Sequence, residues 1–230
     1  MSLYSDQQAW IKGKTIEEAN ENLKKFVKNK NLKHFKGKPL IQWTIEAALN
    51  SKYIDKVIVS TDSREIADVS KRLGATIPYL RPKNFALDNS PTIDLVLDFL
   101  EKDNSITQFL LLQPTSPLRT SDDINHVIEL KRKKNANSVV SVCKFNIPFN
   151  ILFEIKKNGR LTPFDNKSIQ YPNYKLNGAL YLADVEQLIS EKTFINEKTI
   201  PYIMPLRRSV DIDTMIDWYN AESLYEDLKI

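Results

Sequence analysis

The amino-acid sequence predicts an α/β fold built on a mainly parallel sheet. Short apolar segments rich in Val and Ile alternate with amphipathic helical segments from about residue 40 to residue 142. This alternation is typical of parallel strands connected by helices. The segment Phe109–Gln113 is apolar up to its last residue, as expected of a strand covered on both faces. Most of the helical segments also begin at a recognisable capping signal.

Six helices are predicted, and their starts are marked by capping residues. Capping boxes, in which an acidic side chain follows the cap after three residues, begin at Thr15, Asp62 and Thr120. Pro39 and the Ser90–Pro91 pair mark two further starts. The predicted helices cover residues 16–27, 40–49, 65–74, 91–102, 120–134 and 213–228.

Six strands are predicted between these helices. They cover residues 56–60, 75–80, 109–113, 138–142, 178–182 and 202–206. Pro205 indicates that the last of them lies at an edge of the sheet. Between the fourth and fifth strands, the Asn158–Gly159 pair predicts a β-hairpin with a type I′ turn. We expect residues 145–175 to form an arm outside the main sheet.

Composition limits the kinds of protein that this chain can be. Its 230 residues fit one large domain. No apolar run reaches the roughly 18–20 residues of a membrane span, and the first residues do not resemble a signal peptide. With Cys143 as the single cysteine, no internal disulfide can form. We therefore expect a cytoplasmic protein without membrane contact.

Charge is uneven along the chain. Residues 12–38 contain nine lysines and three glutamates, but no arginine. A solvated surface is the ordinary reading of such a run, and attraction of a polyphosphate is the functional one. Nucleic-acid binding would need arginines and aromatic residues interleaved with the lysines, and the lack of arginine argues against it.

Polar side chains follow several of the predicted strands. Ligands of open α/β sheets bind beyond the carboxyl ends of the strands, so these segments are expected to share one edge. They are residues 61–63, 81–88, 113–119 and 207–213.

The segment Gln113–Arg119 is the most distinctive of the four. Its two prolines make it rigid, while Gln113, Thr115 and Ser116 carry amide and hydroxyl groups suited to sugar hydroxyls. Arg119 could hold a phosphate or a carboxylate. Equally compatible with these residues is a proline-stiffened turn whose Thr and Ser side chains cap the next helix.

The polar segment 207–213 contains an acidic pair, Asp211 and Asp213. In extended backbone their spacing puts both carboxylates on one face, and paired carboxylates are natural Mg²⁺ ligands. Alternatively, Asp213 is the N-cap of the last helix and Asp211 a loop acid.

Several blocks of the sequence resemble one enzyme family. LLLQPTSPLRTSDDI (residues 110–124) closely resembles the signature of the CMP-sialic acid synthetases, or acylneuraminate cytidylyltransferases. Other blocks are similar to that family in the same order along residues 28–230: KNKNLKHFKGKPLIQWTIEAAL, VIVSTDSREIADVSKRLGA, LRPKNFALDNSPTID, YKLNGALYLA and SVDIDTMIDW.

The resemblance implies a fold and an activity. The fold is a three-layer nucleotidyltransferase type with a mainly parallel sheet and a small β arm for dimerisation. The activity is a Mg²⁺-dependent reaction in which the anomeric hydroxyl of a sialic-acid-like sugar acid attacks the α-phosphorus of CTP and pyrophosphate leaves. The implied partners are CTP, the sugar acid and a second copy of the chain.

The resemblance also assigns roles to residues of the matching blocks. The catalytic residues would be Asp211, Asp213 and Lys30. Lys30 and Asn31 would contact the triphosphate, and Arg81, Ser90 and Thr92 would contact the cytidine. The sugar acid would be held by Gln113, Asn177 and Phe194, and the Mg²⁺ ion by Asp211 and Asp213.

Two segments depart from the family pattern. The arm keeps only Gln170 of the family's Arg-Arg-Gln stretch. Residues 1–27 lack the family's first strand and its Gly-rich phosphate loop, because Gly13 is the only glycine before Gly37. We therefore treat residues 1–27 as an atypical segment and 28–230 as the cytidylyltransferase-like domain.

Three explanations of the atypical segment stay open. The start of the chain is altered, the protein is a catalytically impaired relative, or the Lys-rich helix replaces the loop. Residues Gln7–Ile11 would make only a poor replacement strand.

Overall fold

The computed structural model of the chain describes residues 27, 29–82, 92–103, 105–145, 153–155, 157, 160–163 and 173–228. Some predictions lie outside these residues and remain predictions. They concern the helix at 16–27 apart from Val27, the replacement strand at 7–11, Ser90, the Asn158–Gly159 turn and Gln170.

The described residues form six α-helices, and five of them lie where the sequence predicts one. They are α1 (Leu40–Leu49), α2 (Arg64–Arg72), α3 (Thr92–Leu100), α4 (Ser121–Lys134), α5 (Val185–Glu191) and α6 (Met215–Leu228). The unpredicted helix α5 has seven residues, which is too short to show a helical period clearly. None of the described helices combines the length and apolar character needed to span a membrane.

Two of the predicted capping boxes can be compared with the structure. At α4 the box is confirmed, because the Thr120 side chain accepts from Asp123 N–H and the Asp123 side chain accepts from Thr120 N–H. At α2 the prediction is wrong by one residue. Ser63, rather than Asp62, caps the helix by accepting from the backbone N–H of Ile66.

The start of α6 also differs from the prediction. Thr214 and Asp217 form the reciprocal pair there: the Thr214 N–H donates to Asp217 Oδ2 at 2.7 Å, and the Asp217 N–H donates to Thr214 Oγ1 at 3.4 Å. The capping role proposed for Asp213 thus falls to the next residue. The carboxylate of Asp213 remains available for other contacts.

Four strands form the main sheet. They are β3 (Gln108–Leu111), β4 (Ser138–Phe145), β7 (Asn173–Asp184) and β8 (Ile200–Ile203), in the spatial order β3–β7–β4–β8. β4 and β8 are parallel, and β7 is antiparallel to both β3 and β4. Three of the four strands therefore run in one direction, as expected, and β8 lies at an edge. The sequence predicted the strand at 178–182, which lies within β7, but not its antiparallel direction between β3 and β4.

Helices cover this sheet on both faces and give the predicted three layers. On one face, α1 and α4 contribute Ala48 and Val127 to a core with Leu180. On the other, α3 and α5 contribute Leu100 and Leu188 to a second core. Each buried aliphatic side chain contributes about 1.5–3 kcal/mol to stability.

The region before α3 is less regular than predicted. The segments 56–60 and 75–80 form a single parallel bridge between Ile58 and Thr76 instead of two strands. The apolar residues Phe109–Leu112 are half-buried rather than fully covered. Among the described strands, β3 is an outer strand because only β7 pairs with it, and an outer strand is less completely packed than one between two neighbours.

Two small hairpins lie outside the main sheet. The arm hairpin pairs β5 (Phe153–Ile155) with β6 (Leu161–Pro163) in antiparallel register, as predicted. The unpredicted one pairs β1 (His34–Phe35) with β2 (Lys38–Pro39) and leads directly into α1. Phe35 anchors it in a cluster with Leu118, Ile212 and Trp218, beneath the loops that carry the predicted site.

Candidate active site

Gly178 on β7 brings Gln113 and Asp211 together. Gly178 has a φ of +75°, and a Cβ there would lie 2.4 Å from Gln113 Oε1 and 3.3 Å from Asp211 Oδ2. Only glycine adopts this conformation without strain and leaves this space free. The loop after β3 and the loop after β8 therefore meet at one point on β7, as the sequence predicted.

The carboxyl group of Asp211 is held by the loop after β3. The Thr115 side chain hydrogen-bonds it, and the backbone N–H of Ile212 donates to Thr115 O at 2.8 Å. Partial burial raises the pKa of Asp211; the Thr115 hydrogen bond lowers it, and the neighbouring Asp213 charge raises it. Asp211 is thus an acid whose charged form is disfavoured by its surroundings.

Asp213 and Lys30 form an ion pair at the same edge. Lys30 Nζ lies 2.5 Å from Asp213 Oδ1 and also donates to Ile212 O at 3.1 Å. The Val27 N–H donates to Asp213 O at 3.1 Å. Two predicted catalytic residues that are 183 positions apart in the sequence are therefore in contact.

Two further predicted residues near this edge carry unpaired polar atoms. Asn31 Oδ1 and Ser116 Oγ are buried and have no hydrogen-bond partner in the described part of the chain. Ser116 is fully buried, whereas Asn31 is half-buried beside Lys30 in sequence. The Asn31 oxygen is thus an unused acceptor next to the ion pair.

Arg119 is buried behind its loop, with only 3% of its surface exposed. Its guanidinium group donates to Gln113 O at 3.2 Å, to Ala179 O at 2.9 Å and to Thr44 Oγ1 at 2.6 Å. Burial lowers the pKa of Arg119 to about 10. Instead of facing outward toward an anion, the forked cation braces the loop against β7 and α1.

Asn177 is likewise buried and bonded to protein groups. Its Oδ1 accepts from Ser141 Oγ at 2.6 Å, and its Nδ2 donates to Ser209 Oγ at 2.9 Å. These contacts connect β4 and β7 to the segment that leads to Asp211. Asn177 also lines the same cavity as Asp211, and its predicted contact with a sugar acid would compete with these bonds.

Phe194 packs in an aromatic cluster on the α3–α5 face. Its ring centroid lies 5.7 Å from that of Tyr181 and 6.5 Å from that of Phe109. Burial, together with the nearby charge of Asp211, raises the pKa of Tyr181. Phe194 thus contacts a ring on which the charge of Asp211 acts.

Of the predicted cytidine residues, the structure describes Arg81, in the less regular region, and Thr92, at the start of α3. Arg81 is half-buried and donates from Nε to Ser60 Oγ at 3.2 Å. Burial lowers the pKa of Arg81, and the Asp62 charge opposes this. Thr92 is exposed at the first residue of α3. None of the hydrogen bonds found between described residues joins Arg81 or Thr92 to Gln113 or Asp211.

A cleft of about 540 Å³ opens beside Asp211. Sequence reasoning missed four of its lining residues: Lys175, Asp217, Asn220 and Ser223. For Asp217 a signal existed, because it follows Thr214 by three residues, which is the spacing of a capping box. For Lys175, which lies on β7 two residues before the buried Asn177, no pattern in the sequence distinguishes it from a surface lysine.

Comparisons with known proteins match most of the chain. A family model described as Cytidylyltransferase matches residues 25–204. The chain is 41% identical over 208 residues to the CMP-N,N'-diacetyllegionaminic acid synthase of Legionella pneumophila, covering 86% of this chain and 89% of that protein. It is 34% identical over 208 residues to an N-acylneuraminate cytidylyltransferase of Escherichia coli, covering 88% of this chain and 49% of that longer protein.

A solved structure is similar in fold. It is a CMP:2-keto-3-deoxy-manno-octonic acid synthetase complexed with CTP, with a TM-score of 0.64 and 14% identity, covering 89% of this chain and 95% of that one. At this level of identity the likeness concerns the fold alone.

Proposed function

From the premise that this chain belongs to the cytidylyltransferase family, we propose that it activates a sialic-acid-like nonulosonic acid with CTP. The anomeric hydroxyl oxygen of the sugar acid forms a bond to the α-phosphorus and loses its proton. The bond from the α-phosphorus to the bridging oxygen breaks, and pyrophosphate leaves. The products are the CMP-sugar acid and pyrophosphate.

The observation that carries this proposal is the meeting of Gln113 and Asp211 at Gly178. The half-buried amide of Gln113 can hydrogen-bond the hydroxyls of a sugar. The carboxylate of Asp211 can hold a cation that in turn binds the phosphates of CTP. Lys30 adds a positive charge at the same edge. Catalysis of this kind depends on positioning the two reactants and on neutralising charge.

A Mg²⁺ ion fits this group of side chains. Within the described residues, no group of three or more His, Cys, Asp or Glu side chains could hold a metal. Mg²⁺, however, usually takes one or two carboxylates and completes its shell with water and substrate phosphates. A divalent cation would also relieve the repulsion of Asp211 by Asp213 and Asp217.

We assign the Mg²⁺ contacts to Asp211 and Asp213. When bound, the ion would neutralise charge on the phosphates of CTP. With Asp213 on the ion, the Lys30 ammonium would be released from its ion pair and could bind the triphosphate.

A homodimer is part of the proposal. Large apolar side chains are exposed on β7, at the end of β8 and just after it: Leu176 is 46% exposed, Ile203 55% and Leu206 59%. Leu176 and Leu206 also line the cleft beside Asp211. A second copy that covers these side chains would close that cleft, and light scattering of the purified protein would measure its mass. We further propose that the reaction takes place in the cytoplasm, where CTP is available.

The test is pyrophosphate release from CTP with Mg²⁺ and a panel of nonulosonic acids. We expect turnover with at least one acid, with CTP strongly preferred over ATP, GTP and UTP. The comparisons favour an active enzyme over a catalytically impaired relative. A folded protein that releases no pyrophosphate with any acid of the panel would refute the proposal.

A further inference from the structure

Asp123 accepts hydrogen bonds from three separate parts of the chain. Its Oδ2 accepts from the backbone N–H and the Oγ1 of Thr120, both at 2.9 Å. Its Oδ1 accepts from Tyr202 Oη at 2.9 Å and from Arg208 Nη2 at 2.6 Å. The residue is fully buried.

Capping of α4 uses only one of the two carboxylate oxygens. A buried carboxylate is costly unless it is paired, and a capping box needs no partner beyond the N-cap residue. The second oxygen instead holds Tyr202 on β8 and Arg208 in the 3₁₀-helix Leu206–Arg208. Asp123 therefore ties the loop after β8 to the start of α4.

Arg208 is three residues before Asp211, and the intervening chain is held closely. Ser209 Oγ accepts from Asn177 Nδ2 at 2.9 Å, and the Ile212 N–H donates to Thr115 O at 2.8 Å. The Arg208–Asp123 ion pair is the first of these fixed points. It is also the one that anchors the segment to a helix rather than to the sheet or to the loop after β3.

We propose that Asp123 is a positioning residue that acts through Arg208 to hold residues 208–213, so that the Asp211 carboxylate lies at Gly178. The catalytic consequence of this placement rests on the proposed function. The placement itself does not, because it concerns the chain without substrate.

The same helix offers a matched control. Lys131, in the last turn of α4, forms an ion pair with Asp184 at 2.7 Å, and the two side chains are 8% and 32% exposed. The Arg208 and Asp123 side chains are 25% and 1% exposed. Both pairs join α4 to neighbouring chain, but the Lys131–Asp184 pair lies at the end of the helix away from Asp211.

The first test is hydrogen exchange of the full chain without substrate, read by mass spectrometry on peptides spanning residues 208–213. Asp123→Asn keeps an acceptor for Thr120 but presents an NH₂ group, which cannot pair with Arg208. We expect exchange in this segment to be about tenfold faster in Asp123→Asn, and unchanged in Asp184→Asn. Tyr202→Phe, which removes one hydrogen bond, should show a smaller change in the same direction.

The second test is the kinetics of pyrophosphate release. Loss of a residue that orients a metal ligand typically costs about 10–100-fold in activity or metal affinity. We expect that loss in kcat and in the Mg²⁺ dependence for Asp123→Asn and Arg208→Gln, with the KM for CTP little changed. Arg208→Lys, which keeps the cation, should recover part of the activity, and Asp184→Asn should resemble the wild type.

The two tests separate the positioning role from the proposed function. If the wild-type chain releases no pyrophosphate, exchange at residues 208–213 still decides whether Asp123 positions the segment. Exchange there that stays at the wild-type rate in Asp123→Asn and Tyr202→Phe would overturn the proposal. So would equal acceleration in Asp123→Asn and Asp184→Asn, because that result indicates only a general loss of stability.

Discussion

Two regions of the molecule carry the candidate site, and they are built differently. The sheet β3–β7–β4–β8 has three pairs of neighbouring strands, with one register shift between Val140 and Val142, and helices on both faces. It places Gln113 and Asp211 together at Gly178. The segment with Ile58 and Thr76, which leads to Arg81, contributes a single bridge. The proposed sugar-acid and metal side of the site is thus fixed by buried polar contacts, whereas the proposed cytidine side depends on few pairings.

The largest effect is expected from Asp211→Asn in the rigid region. Loss of a proposed Mg²⁺ ligand should lower kcat by about 100-fold. Pyrophosphate release at saturating CTP and Mg²⁺ measures it. Asp227→Asn, on the exposed end of α6, is the control and should retain full activity.

The same variant should be more stable than the wild type at neutral pH. Partial burial raises the pKa of Asp211 in the folded chain, so the wild type loses stability as pH rises from the unfolded pKa of about 3.9 through the raised folded pKa. Asp211→Asn avoids this loss. The gain in Tm should therefore be full above the folded pKa and vanish in more acidic solution; a gain independent of pH would contradict the assignment.

Arg119→Met should weaken the bracing of the rigid region. It leaves the carbonyls of Gln113 and Ala179 without their buried donor, which should cost about 2 kcal/mol of unfolding free energy. Displacement of Gln113 should then reduce turnover by roughly tenfold, about the effect of a misplaced binding group. Arg132→Met on the exposed side of α4 is the control, and urea unfolding is the measurement.

Gly178→Ala tests the meeting point itself. The left-handed backbone should cost about 1–2 kcal/mol, and the new Cβ should push the Gln113 amide away, because the two would lie 2.4 Å apart. Gly37→Ala has a similar φ of +90° with nothing within 4 Å of the added Cβ. Both variants should lose stability alike, but only Gly178→Ala should raise the KM for the sugar acid, by about fivefold if one hydrogen bond is lost.

The smallest effect is expected in the less regular region, from Arg81→Gln. Arg81 is half-buried and held by Ser60. A partly exposed charge in such a setting contributes about 0–1 kcal/mol, so the KM for CTP should rise by about threefold with kcat unchanged. A large fall in kcat instead would show that this region is as rigid as the sheet.

The sequence predicted elements that depend on local signals better than elements that depend on contacts between distant residues. The helices α1 and α4 were predicted well, because Pro39 and the Thr120–Asp123 box are local signals. The strands at 56–60 and 75–80 were not, because a strand needs a partner that its own residues do not specify. The antiparallel direction of β7 is also set by pairing across the sheet.

The site residues were also predicted unevenly. The resemblance brought Lys30, Gln113, Asp211 and Asp213 to one edge, and the structure places them in two neighbouring contacts there. It did not indicate that Arg119 and Asn177 are buried. A polar residue in a signature block reads the same in the sequence whether it faces a ligand or supports the residue that does.

The two edge strands of the main sheet differ in their capacity to pair with a further strand. At one end, β8 contains Pro201, which has no N–H to offer a neighbour. At the other, β3 is free of proline, and alternate peptide groups of this strand point away from β7. Of the two outer strands in the described chain, β3 is therefore the one along which the ladder of hydrogen bonds can be extended without interruption.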